Sequence, residues 1–261
     1  MLALRFRIQK KEGFQKKIVT PENSDLKFLS FSYCFSSFSL TIEENTGNEE
    51  WLWVLLSGKV KVETEKIPVI TMERKGIFED NPVSIYLPPD TKYIIQFQQP
   101  SEIIAVSAIA DGNFSPVFIP QSKVKNQRAG KLNYQRSIAN IVTQDFPASK
   151  IIAGETVHDT GHWSCFPPHK HDTDNMPEES KHEELYFFKC QPEKTGFGMM
   201  RVYDESNDQA FPILTNDLIT IPNGYHPVGL IPEHKLYYFW ALAGEKRPFQ
   251  RHTHPDYVQY E

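Results

Sequence analysis

The chain is poor in cysteine. Cys34, Cys165 and Cys190 are the only three in 261 residues. They are far apart and odd in number, which excludes a disulfide framework and a C-x-x-C metal knuckle and suits a reducing compartment. Long apolar runs are missing too. WLWVLL, from Trp51, is far too short to span a bilayer, and the opening MLALRFRIQKKEGFQKK holds no apolar segment of leader length. A cytoplasmic location without a membrane partner is therefore expected. No stripe of lysine and arginine stands out, and 28 basic against 33 acidic residues leave a net charge of −5. Phosphate neutralisation supplies most of the affinity of a nucleic-acid reader, so nucleic acid is not expected as a partner. Helical periodicity is sparse: QDFPASKII, around Gln144, holds at most one turn before Pro147 limits it.

What the chain has is aromatic and punctuated. Eighteen Phe, eleven Tyr and nineteen scattered Pro favour short strands separated by turns. Strand-like runs recur as FSSFSLTIE, EWLWVLLSGKVKVET, PVSIYLPP, KYIIQFQ, EIIAVSAIA, EELYFFKC, GMMRVYD, DLITIP and LYYFWALAG. There is a weak internal repeat. EEWLWVLLSGKVKV and EELYFFKCQPEKTGFGMMRV each suggest strand, turn, strand, and NPVSIYLPPDTKYII echoes TNDLITIPNGYHPVGL. The expected fold is all-β, two tandem β-barrels with few short helices, over residues 1–125 and 140–261. The polar, basic IPQSKVKNQRAGKLNYQRS would link them.

All nine histidines lie at or after His158, so imidazole chemistry is confined to the second half. The segment PPHKHDTDNMPEESKHEELYFF, from Pro167, concentrates three of them with six carboxylates. In a strand, residues i and i+2 share a face, so HKH can aim His169 and His171 into one interior while Lys170 points away. If Glu184 faces inward, so do Tyr186 and Phe188, and PNGYHP brings His226 to the start of a returning strand. Three imidazoles and a carboxylate suit a divalent first-row metal, zinc first, with Mn, Fe, Co or Ni as alternatives. The HTH at His252–His254 has no matching carboxylate strand and is expected to be a surface pair. His158, His162, His182 and His234 are expected to be structural or solvated.

H-x-H, then a strand-borne Glu, then a Pro-x-Gly-x-His turn resembles the cupin superfamily, and the duplication looks like a bicupin. Most cupins place three or four residues before the Glu; here DTDNMPEESKHE puts twelve between His171 and Glu184. With that insertion, GHWSCFPPHKHDTDNMPEESKHEELYFF, GFGMMRVY, NDLITIPNGYHPV and LYYFWALAGEKR resemble the 5-deoxy-glucuronate isomerase family of myo-inositol catabolism. By motif, the resemblance implies His169, His171, Glu184 and His226 as metal ligands. Lys92 or Tyr93 stands where the first barrel would need a His. FWALAGEK is similar to the sibling 5-keto-4-deoxyuronate isomerases of pectin breakdown. That substrate, or a non-catalytic sugar-binding cupin, is the alternative.

The resemblance implies an aldose–ketose isomerisation, 5-deoxy-glucuronate to 5-dehydro-2-deoxy-gluconate. It needs a Lewis acid, a proton carrier between C2 and C1, and a cation for the carboxylate. Arg201 is the first candidate cation and Arg247 the second. The proton carriers considered are Glu184, Tyr186, Tyr203 and Tyr238; Glu183 would point away. Cys165 shares the parity of His169, but Pro167 and Pro168 break regular pairing, and it is expected to be a small buried residue. The insertion is expected to line or cover the pocket mouth, and exposed barrel edges make a homo-oligomer an expectation.

Overall fold

The structure is a computed structural model that describes residues 3–112 and 114–261. Met1 and Leu2, which begin the segment inspected for a leader, lie outside the described residues. The chain is all-β; among the described residues helical turns are confined to Gln121–Lys123, Leu132–Tyr134 and Pro255–Tyr260. Among the described residues no helix is long and apolar enough to cross a membrane.

The first half is organised by one strand, Glu49–Thr64, sixteen residues long. Its first part pairs with Ser101–Ile109 and Val83–Leu87, its second with Ile70–Arg74 and Lys92–Phe97. EEWLWVLLSGKVKV was expected to turn at its glycine. Instead the strand continues through a register shift between Leu55 and Ser57 and bends from one set of partners to the other. Gly58 makes the bend, at φ +101°; a Cβ there would lie 2.2 Å from Ser101 Oγ.

The second half sets a seven-stranded sheet against a four-stranded one. The larger runs in the order Arg5–Arg7, Asp217–Ile221, Glu183–Gln191, Lys235–Ala243, Ile152–His158, Arg136–Val142, Lys125–Ala129. The smaller runs Trp163–Ser164, Val228–Leu230, Gly198–Tyr203, Asp208–Ile213. Both expected boundaries need correction. Arg5–Arg7 pairs with Asp217–Ile219, so the first described residues complete the second half. The segment expected to be a linker carries Lys125–Ala129 and the start of Arg136–Val142, both paired in the large sheet. Lys125–Ala129 forms the edge and Arg136–Val142 the next strand in, and their polar residues make them look like a linker.

Strand parity builds two cores from one strand. Leu185 and Phe187 join Tyr237, Phe239 and Ala241 in packing against Phe31, Leu52, Val54, Ile104 and Val106 of the first half. Tyr186 and Phe188 face the other way, into the second half's interior, with Met200, Val202, Val228 and Tyr238. A strand buried on both faces reads as near-continuous apolar sequence, as EELYFFKC does. Buried charges lock the halves together. Arg74 grips Glu155 through two bonds of 2.8 and 2.7 Å. Glu50 accepts the N–H groups of Ser149, Lys150 and Ile151, and Glu183 those of Lys27, Phe28 and Leu29. Glu183 thus points away from the second interior, as its parity requires.

Candidate metal centre

His169, His171, Glu184 and His226 come together at one end of the second half's interior. His171 Nε2 lies 3.1 Å from Glu184 Oε2 and His226 Nε2 lies 3.4 Å from it. The His226 ring stands 5.0 Å from that of His169 and 5.2 Å from that of His171, centroid to centroid.

Backbone carbonyls orient all three imidazoles of the centre. His169 Nδ1 is 3.2 Å from the Pro167 carbonyl, His171 Nδ1 2.8 Å from that of His182, and His226 Nδ1 2.9 Å from that of Gly224. A carbonyl only accepts, so each Nδ1 carries a proton and points its Nε2 inward. The Nε2 atoms of His169 and His226 keep lone pairs, while that of His171 is bonded to the Glu184 carboxylate. His226 Nε2 is buried without a hydrogen-bond partner. Such a donor set wants a cation at its focus, and backbone-anchored Nδ1–H groups are the usual support for metal-binding histidines. The residues therefore fit a divalent metal. Burial holds His169 well below the ordinary histidine value and His226 down at about 4, which keeps both neutral. For His171 burial acts in the same direction, but the bond and charge of Glu184 outweigh it and raise the value.

The twelve-residue insertion is anchored beside this centre. Asp172–Asn175 and Glu179–Lys181 form a small ladder. Lys170 Nζ, pointing away from the histidines, binds both oxygens of Glu179 at 2.9 Å and also Asp172. Asp172 Oδ2 accepts the Gly224 N–H at 2.9 Å, tying the insertion to the turn that presents His226. Burial opposes the charge of Asp172, but Lys170 and Gly224 hold its carboxyl down at about 2. The insertion lines a cavity of about 720 Å³ with Asp172, Asp174, Met176 and Lys181, opposite Lys27 and Lys246. None of the four converging side chains reaches its wall.

The C-terminal segment closes over the centre. Phe249 packs 5.5 Å from both His171 and His182, Gln250 and Ser180 exchange hydrogen bonds, and His252–Thr253 pairs with His169–Lys170. HTH is thus part of a strap: the His254 ring packs against that of Tyr225, tilted by 57° with centroids 4.6 Å apart.

The other expected site residues divide. Tyr186 and Tyr238 lie in the interior, their rings 4.6 Å apart, with Tyr186 5.9 Å from the His226 ring. Burial pushes both phenols well above their ordinary value, so both are neutral donors. Tyr203 does not join them. Met200 and Val202 take the inward positions of Gly198–Tyr203, which leaves Arg201 and Tyr203 on the opposite face. There Arg201 is paired with Asp208 by two bonds of 2.8 Å and its guanidinium lies 3.9 Å above the Tyr203 ring. Arg247 is turned to the backbone, donating to the carbonyls of Thr143 at 2.6 Å and Ile151 at 2.8 Å. Neither candidate cation faces the centre.

Two residues gain importance from the structure. Cys165 is buried, at φ +49°, and its sulfur lies within 4.8 Å of the His169 and His226 ring nitrogens and 3.2 Å from the Tyr186 hydroxyl. Burial raises its pKa, so it stays a thiol. Its parity with His169 was the available signal. Arg136 is buried in the same half, within a segment that sequence pattern assigns to a linker.

Comparisons with known proteins identify the family. The profile of the KduI/IolB family matches residues 5–260. A protein named 5-deoxy-glucuronate isomerase from Geobacillus kaustophilus is 34% identical over 92% of this chain and 88% of its own. One of the same name from Halalkalibacterium halodurans is 32% identical over 88% and 86%. A crystal structure of an IolB-like protein from Salmonella typhimurium LT2 superposes with a TM-score of 0.92 at 25% identity, covering 98% of both chains. The oxalate decarboxylase of Lactobacillus farciminis, at 12% identity, has a TM-score of 0.70 over 99% of this chain and 90% of its own, a likeness of cupin fold alone. With a match from near one end to the other, a duplicated cupin architecture and relatives above 30% identity, this chain belongs to the KduI/IolB family.

Proposed function

We propose that the chain is a metal-dependent aldose–ketose isomerase that converts 5-deoxy-glucuronate to 5-dehydro-2-deoxy-gluconate, acting in the cytoplasm on a free sugar acid. His169, His171, Glu184 and His226 hold the divalent ion. The observation that carries this reading is the triple lock of Nδ1 protons on backbone carbonyls, which turns three Nε2 atoms toward one carboxylate. The names of the relatives support the substrate.

A divalent cation held there would supply a Lewis acid for the C1 carbonyl and C2 hydroxyl. The rest falls to the chain. Glu184 engages its imidazole neighbours through Oε2, which leaves Oε1 to take the proton from C2 and return it to C1. The hydroxyl proton of C2 moves to O1, so the carbonyl passes from C1 to C2 with no net redox change. Tyr186 and Tyr238, kept as neutral phenols, donate hydrogen bonds to substrate oxygens. Phe249 and the strap around it exclude water from the His171 side.

The test is proton NMR of the metal-replete protein with 5-deoxy-glucuronate in deuterium oxide. The aldehyde signal should fall while deuterium enters the new CH₂OH group. Absence of turnover with the metal confirmed in place would overturn the reading.

A further inference from the structure

We propose that Arg136 receives the carboxylate of the substrate, as an anchor set inside the second half rather than on its surface. The isomerase reading supplies the substrate; Arg136 itself supplies the charge. Arg136 is 6% exposed and opens the strand Arg136–Val142. It stands opposite His158 in the ladder and so shares the inward face with that ring, which meets Tyr238 edge-on at 5.5 Å. Its Nη1 donates to the carbonyls of Tyr134 at 3.2 Å and Phe166 at 3.4 Å. Among the described residues no carboxylate pairs with it. The comparison within the molecule is direct: Arg74 and Lys189, also deeply buried, face Glu155 and Glu102. A buried guanidinium without a counter-ion is costly, and an arriving anion relieves the cost.

The surroundings lead from this cation to the metal ligands. Phe166, whose carbonyl Arg136 holds, follows Cys165. The Cys165 sulfur is 3.2 Å from the Tyr186 hydroxyl and within 4.8 Å of the His169 and His226 nitrogens. Ser164 Oγ is 2.6 Å from the Tyr238 hydroxyl. The tract holds a cation at one end, hydroxyls and a thiol along it, and Glu184 with the histidines at the other. That order matches a short polyhydroxylated chain whose carboxylate lies at the end opposite its reacting carbonyl. A guanidinium grips such a carboxylate with two parallel hydrogen bonds.

The test uses the metal-replete protein and a non-reacting ligand, the substrate acid reduced to the alcohol at C1, beside its C6 amide, both by titration calorimetry. The wild type should bind the acid more tightly than the amide. Arg136→Gln should lose roughly 100-fold in affinity for the acid and little for the amide, and Arg136→Lys should recover part of the loss. A structural role alone would weaken both ligands together. The inference is overturned if Arg136→Gln keeps the acid-to-amide preference. If the wild type shows the preference but does not isomerise the aldehyde, the reaction falls and the anchor stands.

Discussion

His158 gives the molecule an acid weakness that can be isolated. The ring is fully buried, neither nitrogen has a hydrogen-bond partner, and it meets Tyr238 edge-on at 5.5 Å. Burial drives its pKa from the ordinary 6.5 down to about 3. The folded state therefore binds fewer protons than the unfolded chain between those two values, so stability falls with pH through that window and the contribution is complete above 6.5. Each pH unit costs about 1.4 kcal/mol, so moving from pH 6.5 to 4.5 costs about 3 kcal/mol at this one side chain. Phe in its place keeps an aromatic edge for Tyr238 and cannot titrate. Urea unfolding of wild type and His158→Phe, followed by fluorescence at pH 7 and 4.5, should show the variant losing about 3 kcal/mol less over that interval. At pH 7 it should be at least as stable, because two orphaned polar atoms are gone. Equal pH dependence in the two proteins would refute the reasoning, since the other buried histidines are common to both.

Three other outcomes follow from the geometry. Arg74→Met strands Glu155, 3% exposed, in the interface between the halves; unfolding should show a loss of about 3–5 kcal/mol, largely recovered in Arg74→Met/Glu155→Leu. His226→Ala should lose most of the bound metal by elemental analysis, while circular dichroism keeps its β signature. Arg201→Ala should leave KM for the acid substrate within about twofold of wild type, because its bridge to Asp208 is solvent-exposed and such pairs contribute little; a large rise in KM would return the anchor to that outer face.

Much of the site was legible because strand chemistry has a short period. HKH and EELYFF can share an inward face by parity, PNGYHP combines a turn with a histidine at the start of the next strand, and the family resemblance joined His169, His171, Glu184 and His226 into one set. Arg201 and Arg247 were misjudged for one shared reason: a sequence gives a side chain's charge but not its partner. Asp208 lies across a hairpin from Arg201, and the Thr143 and Ile151 carbonyls are about a hundred residues from Arg247. Arg136 was hidden in the opposite way. Its strand is polar because it lies near the edge of the sheet, so it resembled a linker, and only the register opposite His158 places its guanidinium inside.

The sequence by itself determined the class of fold, the two-part duplication, the confinement of imidazoles to the second part and the identity of the four converging side chains. These depend on residues close in the chain or on periodicity within one strand. Tertiary structure alone decided which carbonyls orient the imidazoles, that the C-terminal segment closes over the histidines, and which buried cation goes without a carboxylate. Each of those is a pairing between distant segments, and sheet topology, not local sequence, brings them within reach.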